Sequence, residues 1–94
     1  MRVKVFATLR PIVGGADVPT DIQPGQSIGA LIDEMITRWP DLRPEMVDDQ
    51  GNLLNRVHVL VNGRSVRFLQ GRNTIIPEGA NITIFPPVGG GAPC

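Results

Sequence analysis

The sequence has 94 residues, nine basic against nine acidic and 41% hydrophobic, which suits one soluble globular domain with a single core. The balanced charge supplies no field favouring nucleic acid or an anionic membrane, and no apolar run reaches the ~18–20 residues that span a bilayer. One cysteine and one histidine leave no internal disulfide and no basis for a thiolate or imidazole metal site.

Residues 2–7 alternate with period two, predicting a strand with Val3 and Val5 on one face and Arg2, Lys4 and Phe6 on the other. An alternating start lacks the continuous apolar stretch of a secretory signal, so a cytoplasmic address is the default expectation. Pro11, Gly14 and Gly15 predict a break and turn over 11–15. Residues 17–22 are expected to return as the hairpin partner, and 23–26 to end it.

Ser27 predicts a helix N-cap, its hydroxyl accepting from an amide of the first turn. Ile28, Leu31, Ile32, Met35 and Trp39 recur at spacings of three and four, an apolar stripe for one side of a sheet. Pro40 predicts the end of that helix. Residues 44–47 allow a single helical turn, and 48–52 form a polar loop.

Residues 57–61, rich in β-branched side chains, predict a strand with His58 facing outward. Asn62 and Gly63 form a favoured two-residue hairpin turn, with 65–69 as the short returning partner. Residues 73–76, a turn at 77–79 and a last strand at 81–85 follow. Strands, one long helix, then further strands predict an α+β fold. Its outline is a ubiquitin-like β-grasp, a mixed sheet packed on one main helix, over residues 1–88, with a flexible C-terminal tail at 89–94. The expected core is Val3, Val5, Ile28, Leu31, Ile32, Met35, Val59, Val61, Ile82 and Ile84.

The stretch NITIFPPVGGG at 81–91 resembles the end of a MoaD/ThiS-type sulfur carrier, whose last strand leads through FPPV to a diglycine. The likeness covers nearly the whole chain: the opening strand, the Ser27 helix, VLVNG at 59–63 and PEG at 77–79. VDDQGNL at 47–53 and VRFLQG at 66–71 resemble the CysO type in particular. The resemblance implies a carrier and not an enzyme, with no cofactor of its own. In such families an E1-like adenylyltransferase and sulfurtransferase uses MgATP to activate the terminal glycine carboxylate as an acyl adenylate, then converts it to a thiocarboxylate. A sulfur-accepting biosynthetic enzyme, for cysteine or a related metabolite, takes the sulfide. Glycine suits such a tail because a Cβ would obstruct a narrow channel, and Pro86 and Pro87 stiffen its exit.

Aligned on FPPVxGG, the reactive pair is Gly90 and Gly91, with Gly89 in the variable position and Gly91 as the site of adenylylation and thiocarboxylation. Counting from the first glycine gives Gly89 and Gly90 instead. Ala92, Pro93 and Cys94 are surplus, so the chain resembles a proform that a zinc-dependent JAMM-type peptidase would cut between Gly91 and Ala92. Pro93 favours one endoproteolytic cut, since its tertiary amide fits few exopeptidase sites. Cys94 has no base or helix N-terminus to activate its thiol and is read as part of the released tripeptide.

Phe6 and Phe85 fall on the outward phase of their strands, at the root of the tail. If those strands are neighbours, the rings make one apolar patch, and the resemblance implies that this region docks the activating enzyme together with Pro86 and Pro87. His58 and the carboxylates of 33–34 and 48–49 have no partners for acid–base or nucleophilic work. Three rival readings stand: the small subunit of molybdopterin synthase, a modifier conjugated to lysines, and an interaction domain with an inert tail.

Overall fold

The computed structural model describes residues 2–6, 9–54 and 57–85. The tail from Pro86 to Cys94, with Pro87, Gly89, Gly90, Gly91 and Ala92, lies outside the described residues.

Strand β1 (Arg2–Val5) buries Val3 and Val5 and exposes Arg2 and Lys4, as its alternation requires. The turn expected after it is instead a short helix, α1 (Leu9–Val13), which buries Leu9. Pro11 is compatible with that helix because it sits in the first turn, where amide donors have no intrahelical partner. Gly14 and Gly15 close the helix by donating to the Arg10 carbonyl at 2.8 and 3.0 Å. Gly14 has φ +85°, a conformation that glycine reaches without a Cβ penalty. Strand β2 (Asp17–Pro19) then pairs antiparallel with β1, shorter than the expected 17–22.

The main helix α2 (Ile28–Arg38) begins where Ser27 Oγ accepts from the Ala30 amide at 3.1 Å. It buries Ile28, Gly29, Leu31, Ile32 and Met35. It ends at Trp39, whose amide still donates to the Met35 carbonyl at 2.8 Å, and Pro40 opens a separate 3-10 turn. The single turn α3 (Arg43–Met46) follows. In the polar loop after it, one Asp48 carboxylate oxygen accepts from the amides of Gln50 and Asn52 at 2.9 and 3.0 Å.

Strand β3 (His58–Val61) turns through Asn62 (φ 52°) and Gly63 (φ 84°) into β4 (Arg64–Ser65). Positive φ at both central residues is what a type I′ hairpin requires. The expected partner strand over 65–69 stops after two residues. Ser65 Oγ accepts from the Arg67 amide at 3.2 Å, and residues Val66–Phe68 wind into a 3-10 turn that buries Val66. A second 3-10 turn spans Gly71–Asn73, and Arg72 fastens it to the main helix through Asp33 Oδ1 at 2.9 Å. Strand β5 (Ile82–Phe85) is the last element.

The five strands form one mixed sheet in the order β2-β1-β5-β3-β4, with β5 parallel to β1 and antiparallel to β3. All ten expected core residues are buried. So are Leu9, Leu42, Met46 and Ile76, none of which was expected. No helix among the described residues is long and apolar enough to cross a membrane.

Candidate functional site

Pairing and alternation together build a surface at the C-terminal end of β5. The parallel register sets Val3 beside Ile82, Lys4 beside Thr83 and Val5 beside Ile84. The pairing continues as the Phe6 amide donates to the Ile84 carbonyl at 3.2 Å, which brings Phe6 level with Phe85. On the other flank, the antiparallel register sets His58 opposite Phe85 and Leu60 opposite Thr83. Because Ile82 and Ile84 face the core, Thr83 and Phe85 face away from it.

Phe6 and Phe85 are therefore brought together, as the sequence predicts. Their ring centroids are 4.6 Å apart with planes inclined by 14°, a stacked pair. Phe85 remains 36% exposed, so its ring is not enclosed by the core. Arg10 completes one side: its guanidinium carbon lies 5.0 Å from the Phe6 centroid. Arg10 Nε also donates to the Val5 carbonyl at 3.1 Å, which holds the planar group over the ring. A cleft of about 210 Å³ beside the pair is lined by Lys4, Val5, Phe6, Arg10, Ala16 and Asp17.

The patch is an apolar pair rimmed by cationic and polar side chains, suited to covering by a protein surface more than to bond chemistry. Among the described residues there is no group of three His, Cys, Asp or Glu side chains able to hold a metal ion. His58 is exposed on β3.

Two features escaped the sequence. Arg10 directly precedes the turn expected over 11–15, and only the helix α1 carries it back over Phe6. The second is a groove of about 560 Å³ lined by Val61, Phe68, Leu69, Gln70, Thr74, Ile75 and Pro77. Val61 pairs with Ile82, so this groove opens at the end of β5 opposite to Phe85. Phe68 is 87% exposed there; an aromatic in a stretch expected to be a strand was the available signal.

The chain is 30% identical over 91 residues to small archaeal modifier protein 3 of Haloferax volcanii, covering 97% of this chain and 98% of that protein. It is 32% identical over 91 residues to the sulfur carrier protein CysO of Mycobacterium bovis, covering 95% and 96% respectively. The structure is similar to one in the BexX/CysO complex of Amycolatopsis orientalis, with a TM-score of 0.78, 28% identity and coverage of 96% and 98%. Residues 3–91 match the ThiS family. The β-grasp sheet and the match over residues 3–91 lead to one conclusion: the chain belongs to the ThiS family, among ubiquitin-like sulfur carriers and modifiers.

Proposed function

We propose that the chain is a sulfur carrier whose working end is Gly91. A JAMM-type metallopeptidase removes Ala92, Pro93 and Cys94 by cutting between Gly91 and Ala92. An E1-like enzyme then docks on Phe6 and Phe85 and adenylylates the freed Gly91 carboxylate with MgATP. Sulfur replaces one carboxylate oxygen, and the thiocarboxylate delivers sulfide to a biosynthetic enzyme for cysteine or a related metabolite. The observation that carries this reading is that the family match extends to Gly91, the second glycine of the pair chosen from FPPVxGG. The stacked, part-exposed rings at the end of β5 support it, since they offer an enzyme a purchase next to the tail.

Each residue type has a stated task in this scheme. Gly89 and Gly90 let the backbone lie extended in a narrow channel without a Cβ. Phe85 and Phe6 bind and orient, while Pro86 and Pro87 aim the tail outward. In this scheme the chain is the substrate: its Gly91 carboxylate attacks the α-phosphate of ATP, and pyrophosphate leaves.

The chain ending at Gly91, incubated with its activating enzyme, MgATP and a sulfur source, should gain about 16 Da as sulfur replaces oxygen in the activated acyl group. The 94-residue chain should not change. Thiocarboxylate on the untrimmed chain, or none on the Gly91 form with a demonstrably active enzyme, contradicts the proposal. The kinship with an archaeal modifier protein favours a second reading, conjugation of Gly91 to lysines of other proteins. That reading predicts higher-mass isopeptide adducts in cells, which sulfur transfer alone does not.

A further inference from the structure

The sequence holds nine Lys and Arg residues, and eight of them are arginine; Lys4 is the one lysine. That imbalance bears on acyl chemistry. A lysine amine can lose its proton and attack an activated carboxylate, whereas a guanidinium stays protonated and does not. A protein handled as a glycyl adenylate would repeatedly be near activated copies of itself, and every arginine on its surface is inert to them.

The position of Lys4 is as telling as its singularity. It lies on the outward phase of β1, two residues before Phe6, level with Asp17 on β2 and Thr83 on β5. It lines the cleft beside the stacked rings together with Phe6 and Arg10. All three ion pairs among the described residues are made by Arg38 or Arg72, so no carboxylate holds the Lys4 ammonium there. Its side chain is exposed.

We infer that Lys4 is the side-chain acyl-acceptor site of this chain, and that a partner docked on the Phe6–Phe85 face covers it, so that docking and acylation exclude one another. The covering partner is the activating enzyme, and in that respect the inference rests on the proposed function. In the acylation step the Lys4 Nζ attacks the carbonyl carbon of an acyl adenylate, such as the glycyl adenylate of a second copy. A C–N bond forms, the bond from that carbon to the phosphate oxygen breaks, AMP leaves and the amine proton passes to solvent. An acyl group on Lys4 removes a cation from the rim of the patch and fills the cleft beside Phe6, closing the face to the enzyme.

The test uses the chain ending at Gly91 and the acetyl ester of N-hydroxysuccinimide as an acylating probe. In the free chain the exposed Lys4 should acetylate readily. With saturating activating enzyme, Lys4 labelling should slow by about tenfold or more, the factor set by the fraction of chain left unbound. A second amine, introduced by Arg43→Lys on α3, provides the internal reference, because Arg43 is exposed in the helical layer and not on the outer sheet face. That amine should label at the same rate with and without enzyme. Docking is read independently, from the ATP–pyrophosphate exchange that the chain elicits. Acetylation should lower the exchange efficiency of wild type about tenfold relative to untreated wild type, whereas Lys4→Arg should show no loss relative to its own untreated form, which excludes an effect of the acetylated N-terminus. Exchange with Lys4 unprotected, or full exchange by the acetylated wild type, overturns this inference alone. Absence of exchange with an active cognate enzyme overturns the carrier reading and this inference with it.

Discussion

The two faces of the sheet are made from the same strands and do opposite work. On β5, Ile82 and Ile84 point toward α2 and are 1% and 0% exposed, while the adjacent Phe85 points outward at 36%. On β1 the division repeats, with Val3 and Val5 inside and Lys4 and Phe6 outside. The inner set consists of aliphatic side chains with no alternative use, closed in by the helix. The outer set spends its apolar surface on a stacked aromatic pair that stays part-exposed, with the Arg10 guanidinium over one ring. Under the proposed function, adjacent residues thus separate stability from recognition, and substitutions one position apart should have unlike consequences.

The largest expected effect is on the inner face. Ile84→Ala removes a fully buried side chain from between β1 and β3 and should cost about 2–5 kcal/mol in a denaturant melt. Leu31→Ala, on the facing side of α2, should cost about the same. A small loss for either would mean that the sheet–helix layer is not the principal core.

One residue along, Phe85→Ala should lose about 2 kcal/mol of binding to the activating enzyme, as for an aromatic anchor, measured by titration calorimetry. Its effect on folding should be smaller, about 1 kcal/mol, because only the stacking with Phe6 and partial burial are lost. Equal losses in both measurements would erase the distinction between the faces.

Ser27→Ala deletes the cap on the Ala30 amide and should cost about 1 kcal/mol of stability, with binding unchanged. Smallest of all, Phe68→Ser should leave stability within about 0.5 kcal/mol, since that ring is 87% exposed at the other end of the sheet. A large loss there would show that the groove around Phe68 and Ile75 is part of the core.

These positions also show what could be read from the sequence. Alternation in β1, β3 and β5 is a backbone property, so it fixed which of Val3, Phe6, Ile84 and Phe85 would face inward before any contact was known. The stripe of α2 and its Ser27 cap were legible for the same local reason. Where the chain is irregular, local rules fell short. The five-residue helix α1 looks like a turn because Pro11, Gly14 and Gly15 punctuate both, and its burial of Leu9 decides the matter. The 3-10 turns at Val66–Phe68 and Gly71–Asn73 have no periodic signature and are held by tertiary bonds. Arg67 Nη2 donates to the Leu54 and Val57 carbonyls at 3.0 and 2.9 Å, and Arg72 Nη1 to that of Gly51 at 2.9 Å. Leu42, Met46 and Ile76 reach the core from such segments. Phe6 and Phe85 could be assigned a face from sequence; their meeting needed the parallel register of β1 and β5.

The most direct measurement is the intact mass of the protein recovered from the cells that make it. The account predicts a chain that has lost Ala92, Pro93 and Cys94 and ends at Gly91, with a fraction heavier by about 16 Da, where sulfur has replaced a carboxylate oxygen. A native chain that still carries Ala92, Pro93 and Cys94 while its sulfur metabolism is active would contradict it.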